Sequence, residues 1–138
     1  MKKTTLYYLA FLWFSSIAYA QKVKTYTTKV INGPIAIDGD IDEAAWSEVD
    51  WAGRFVQTEP GNGAEPTFDT QFKLMYDHEH LYVAIMAFDD HPNRIVVSDE
   101  PRDFFAGDYV EINIDSDFDR KDAFSFTVTA GGIRGDEH

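Results

Sequence analysis

Apolar residues at every second position recur along this chain, and that period leaves little but β-structure open to it. In residues 122–130, Phe124, Phe126 and Val128 alternate with Ser125, Thr127 and Thr129. In residues 109–115, Val110, Ile112 and Ile114 alternate with Glu111 and Asn113, and Phe72, Leu74 and Tyr76 do the same against Gln71 and Lys73. Successive side chains of a strand point to opposite faces, so each pattern predicts a strand with one buried and one wet face. Residues 81–88 (LYVAIMAF) are apolar at both parities, which predicts a central strand covered on both sides. The polar run Asp77-His78-Glu79-His80 has hairpin length and predicts antiparallel pairing of the strands that flank it.

The first part of the chain is less regular. Thr25 to Ile31 is β-branched and alternating, Asn32-Gly33-Pro34 makes a turn, and Ile35 and Ile37 form a short strand that ends at Asp38-Gly39. Asp40 or Asp42 is placed to cap a brief helix through Glu43, Ala44, Ala45 and Trp46. Phe55 and Val56 suggest another short strand, and residues 59–66 (EPGNGAEP) are a loop by composition. Residues 89–107 form a second irregular region. Seven or so strands with long connections predict an all-β chain folded as an antiparallel β-sandwich.

Residues 1–20 have the three parts of a cleavable signal peptide: Lys2 and Lys3, an apolar run from Leu6 to Phe14, and small residues at Ala18 and Ala20. The run is much shorter than the about 20 apolar residues of a spanning helix, so the expectation is cleavage after Ala20 and a secreted, periplasmic or cell-envelope product. Residues 21–138 then form one domain that carries 10 basic against 24 acidic residues, a net charge of −14, and no part of it is apolar enough to span a bilayer. Such a charge repels phosphate backbones, which argues against nucleic acid as a partner. With no cysteine, packing rather than disulfides must hold the domain.

The order of several short motifs is more specific than the alternation. Ile35-Ala-Ile-Asp-Gly-Asp-Ile-Asp-Glu-Ala-Ala-Trp46 resembles the opening of carbohydrate-binding module family 9 domains. It is followed by Phe55-Val-Gln57, Pro60, Thr70, Tyr76-Asp77, Leu81-Tyr82-Val83, Asp89-x-x-Pro92, Asp108-x-Val110-x-Ile112, Asp115, Phe126-x-Val128, Gly132 and Asp136. The succession is similar to the version of that module found at the N-terminus of large bacterial envelope proteins, common among Bacteroidetes, ahead of an uncharacterised β-rich region. The resemblance implies a non-catalytic, glycan-binding β-sandwich that serves polysaccharide binding or catabolism and is able to hold structural calcium. It leaves two alternatives open: a packing domain of an envelope β-barrel protein without sugar affinity, or the N-terminal part of a glycoside hydrolase. Modules of the family continue past the Gly132-x-x-x-Asp136 region into strands rich in tryptophan. The expectation is therefore a fragment whose closing strands are missing and one of whose sheet edges lies open.

Sugar binding needs an aromatic face for the apolar side of a pyranose and polar groups around it for the hydroxyls. Trp51, Phe104 and Phe105 are the aromatic candidates, with Tyr109 behind them, and Gln57, Arg102, Asp103 and Asp108 the polar ones. Each has a plainer role open to it: Trp51 as partial core, the phenylalanine pair as a plug at one side of the core, the charged residues as ion pairs or turn caps. Trp46, beside two alanines, reads as a core plug. Asp38 and Asp40, and Asp115, Asp117 and Asp119, offer oxygens at alternate positions for Ca²⁺, although turn chemistry accounts for such residues too and neither run has EF-hand spacing. His78 and His80 lack a third zinc ligand at a familiar spacing. No nucleophile elbow, phosphate loop or dinucleotide fingerprint is present.

Overall fold

The hairpin with the densest apolar pattern organises one half of the molecule. The computed structural model describes residues 24–97 and 100–138, so the signal peptide expected at residues 1–20 and the cut expected after Ala20 lie outside the described residues. Strand β1 is Lys29–Val30, β2 is Thr70–Tyr76 and β3 is Leu81–Ala87. They form a sheet in the order β1-β2-β3, with β2 and β3 antiparallel and Phe72 opposite Ile85, Leu74 opposite Val83. The β1–β2 pairing is parallel, a departure from the wholly antiparallel expectation. It is extended by Ile31, whose N–H donates to the Tyr76 carbonyl at 2.9 Å.

Asp77 closes the hairpin. Its Oδ1 accepts the N–H groups of Glu79 and His80, both at 2.7 Å, and its Oδ2 accepts the Tyr82 hydroxyl at 2.8 Å. These donors, the Glu79 amide first, hold the Asp77 carboxyl far below the usual carboxylate range, while the same carboxylate and burial raise the Tyr82 phenol.

One face of this sheet carries the core. Met75 and Ala84 point to the same side and pack with Ile31, Ile35, Trp46 and Val49, flanked by Ile41, Ala45 and Tyr82. Beyond β1, the N-terminal segment thus serves as a lid on the sheet rather than as strands of it, and neither Ile35–Ile37 nor Phe55–Val56 forms the short strand expected. The expected helix is a 3-10 helix, Ala44–Glu48, and neither Asp40 nor Asp42 caps it. Glu43 stands at the cap position with its carboxylate directed elsewhere: Oε1 accepts the Ala36 N–H at 2.7 Å and Oε2 the Trp46 indole N–H at 3.0 Å. This ties the lid to the buried tryptophan, the core plug that its two alanine neighbours suggested.

The second sheet follows the same rules with one reversal. Strands β4 (Tyr109–Ile114), β5 (Phe124–Thr129) and β6 (Arg134–Glu137) run antiparallel in that order. The alternation in β5 is real, yet Thr127 and Thr129 are the buried residues and Phe124, Phe126 and Val128 the open ones. The threonine side is covered by the loop before β4, whose Phe105 lies against Gly135 of β6. The apolar side turns toward the first sheet. Phe72, Val83 and Ile85 from that sheet, and Val110 and Ile112 from the second, line a shared cleft of about 580 Å³, with Phe55 and Tyr109 at its rim. Strand β3 is therefore an edge strand, not a central one, and its second apolar face serves the cleft.

The chain is all-β, two small sheets facing each other as the layers of a β-sandwich, with 3-10 turns as its helical pieces among the described residues. No described helix is long and apolar enough to cross a membrane.

Candidate functional site

The loop entering β4 is held at three points, and what it leaves exposed is the candidate site. The first point is a turn from Pro101 to Phe104, closed by the Phe104 N–H on the Pro101 carbonyl at 3.2 Å, with Asp103 in the left-handed region at φ 64°. Aspartate tolerates that conformation better than most residues. The second is Phe105, half-buried, packed on Gly135 and 6.3 Å from the Tyr109 ring. The third is Asp108, whose Oδ2 accepts the Val96 N–H at 2.7 Å while its own N–H donates to the Val96 carbonyl at 3.0 Å. Gly107, at φ 87°, lets the two segments approach this closely, since a Cβ there would collide with the Val96 carbonyl.

Between these anchors Arg102, Asp103 and Phe104 face solvent. Phe104 is 54% exposed. The Arg102 guanidinium pairs with Asp136 of β6 through Nη2 and stands 3.5 Å from Asp103 through Nε. Asp103 Oδ1 in turn accepts the Asp136 N–H at 3.3 Å. Pairs this exposed add little stability. Their value is geometric: they fix a planar guanidinium with N–H donors to spare beside two carboxylates and an open aromatic ring. Stacking with hydrogen bonds in both senses is the chemistry such a surface offers.

The other sequence candidates fall elsewhere. Asp108 spends its hydrogen bonds on the loop, and Phe105 is the packing residue its plainer reading described. Gln57 lies in a separate loop, its N–H on the Ala64 carbonyl at 2.9 Å and its amide 3.5 Å from the Thr67 hydroxyl. Trp51 sits beside the first sheet, where the Lys73 ammonium lies 4.8 Å from its ring centre. Among the described residues, no recorded bond or ring contact joins Trp51 or Gln57 to the Arg102–Phe104 loop. Asp136 does not stand out in the sequence as a site residue, being 34 positions from Arg102 on a strand, Arg134–Glu137, that has no apolar alternation. Lys73 alternates with the apolar residues of β2 as a polar residue would, yet its parity with Met75 places it toward the core.

The acidic runs serve their own turns. Asp38 Oδ1 accepts the Asp40 N–H at 3.0 Å. The Asp115 carboxylate accepts the N–H groups of Asp119 and Arg120, and Asp119 accepts that of Lys121 while standing 3.4 Å from its ammonium. Among the described residues, no three His, Cys, Asp or Glu side chains gather where they could hold a metal ion. Asp117 makes no side-chain hydrogen bond among the described residues.

A family profile described as carbohydrate family 9 binding domain-like matches residues 37–131, which runs from the segment covering the first sheet through β5 to the turn beyond it. No curated protein and no solved structure matches the chain.

Proposed function

We propose, on the premise that the chain belongs to the carbohydrate family 9 binding domain-like family, that it binds glycan without acting on it, through the loop that carries Arg102, Asp103 and Phe104. The observation that carries this reading is the open Phe104 ring beside the Arg102–Asp136 pair, held in place by Phe105 on Gly135. A pyranose stacks one apolar face on the ring. Its ring substituents then reach the guanidinium as acceptors, and the Asp103 and Asp136 carboxylates as donors. The composition of residues 1–20 supports export, and a polysaccharide met outside the cytoplasm is the ligand class in view, its binding or breakdown the process served.

Affinity electrophoresis through gels that contain soluble xylan or soluble cellulose derivatives tests the reading. The native chain should be retarded in at least one gel, and Phe104→Ala and Arg102→Ala should be retarded markedly less there. A second reading rests on the open side chains of Phe124, Phe126 and Val128, which suit a domain that packs against other protein without sugar affinity. Migration of the native chain as in a sugar-free gel, whatever polysaccharide is present, favours that one.

A further inference from the structure

Lysine is an expensive choice at position 73. The residue is 8% exposed, on the face of β2 that carries Met75 and the core, and among the described residues it has no carboxylate partner. Burying an ammonium costs free energy unless hydrogen bonds and other partners replace its water. Two groups do so. Lys73 Nζ donates to the Trp46 carbonyl at 2.5 Å and lies 4.8 Å from the centre of the Trp51 ring. The Trp46 end is itself fixed, since the Trp46 indole N–H is bound by Glu43. An apolar side chain of similar length would fill the space with no charge to accommodate. What the ammonium adds is a directional hold on the face of an aromatic ring.

The ring it holds is open to solvent. Trp51 is 37% exposed. Its backbone is fixed as well, because the next residue, Ala52, exchanges both hydrogen bonds with Phe72, at 2.9 and 2.7 Å. The ammonium thus stands over the ring of an indole that still keeps part of its surface open to solvent. Gln71, on the same side of β2 as Lys73, is the nearest polar position along the strand, its amide donating to Asp69 Oδ2 at 2.8 Å.

We infer that Lys73 is a positioning residue that pins Trp51 as a second sugar-stacking platform, separate from the Phe104 loop. The inference rests on the glycan reading above and adds to it a second aromatic contact, for an uncharged pyranose, on the first sheet. Preorganisation is the physical gain: a ring already fixed in its plane loses less conformational freedom when a sugar settles on it.

The test compares the native chain with Lys73→Met, Lys73→Arg, Trp51→Phe and Phe104→Ala. Acrylamide quenching without sugar reads the ring alone, and subtraction of Trp51→Phe assigns the Trp51 signal. Lys73→Met should raise quenching of that signal, and Lys73→Arg, which keeps a cation and donors, should restore it. Titration with xylo- and cello-oligosaccharides should show about three- to tenfold weaker binding for Lys73→Met, partial recovery for Lys73→Arg, and a near-native urea midpoint for the arginine variant. Unchanged quenching in Lys73→Met overturns the pinning. Unchanged affinity in both Lys73→Met and Trp51→Phe, with binding lost in Phe104→Ala, overturns the second platform and leaves the loop reading intact. No binding by the native chain overturns the glycan reading itself, and with it the platform, while the quenching arm still decides whether Lys73 holds the ring.

Discussion

The ring of Phe105 lies against the bare Cα of Gly135: a Cβ built on Gly135 would stand 2.6 Å from Phe105 Cε1, closer still to Cζ, and 2.8 Å from Asp103 Oδ1. One missing methyl group thus lets the Arg102–Phe104 loop settle on the second sheet. Gly135 also pairs with Thr127, so the contact covers the buried threonine side of β5.

Gly135→Ala should lift Phe105 off the strand. Overpacking of this kind costs about 1–3 kcal/mol, to be read from urea unfolding. Because the same substitution crowds Asp103, sugar retention should fall with it. A variant of native stability and native retention would show that the loop does not depend on this contact.

Glu43 bonds one group on either side of it in sequence, the Ala36 N–H and the Trp46 indole. Glu43→Ala leaves both donors without their acceptor, and the expected loss is about 1–3 kcal/mol. Glu43→Gln keeps one acceptor oxygen and should lose less. Equal urea midpoints for Glu43→Ala and the native chain would remove Glu43 from the account of how the N-terminal segment is fastened.

Asp77 is the group whose titration should show in stability. The amides of Glu79 and His80 and the Tyr82 hydroxyl hold its carboxyl well below the usual range, with the His80 imidazole 3.4 Å away. A carboxyl depressed by folding contributes stability above its unfolded pKa, about 3.9, and loses that contribution as the pH falls toward the folded value. Asp77→Ala should therefore be less stable than the native chain near neutrality, with a gap that shrinks below about pH 4. A gap that widens on acidification would contradict the assignment. Urea midpoints measured across the pH range distinguish the two.

The strands were legible where alternation and turn chemistry agreed. Phe72 to Tyr76 and Leu81 onward pair across Asp77–His80 as their sequence implies, and Tyr109–Ile114 and Phe124–Thr129 fall within the segments that alternation marks. Which side of β5 is covered was not legible, because period-two spacing fixes two faces and says nothing of what packs on each. Here Phe105 covers the threonines. Strand β6 carries Arg134, Gly135, Asp136 and Glu137, a polar run held by pairing with β5 rather than by burial of its own apolar side chains. At the site, Arg102, Asp103 and Phe104 could be named from composition, but their partner Asp136 is supplied by the sheet register. Asp108 and Phe105, candidates for binding in the sequence, also make contacts that build the loop, and those contacts are ones no single sequence displays.

The central claim is that the open ring of Phe104, with Arg102 beside it, meets sugar. Isothermal titration of the native chain and Phe104→Ala with oligosaccharides cut from a polysaccharide that retards the native chain tests it most directly. The account predicts measurable heat for the native chain and affinity weaker by about tenfold or more for Phe104→Ala, with urea midpoints that agree. Identical affinities for the two proteins would contradict it.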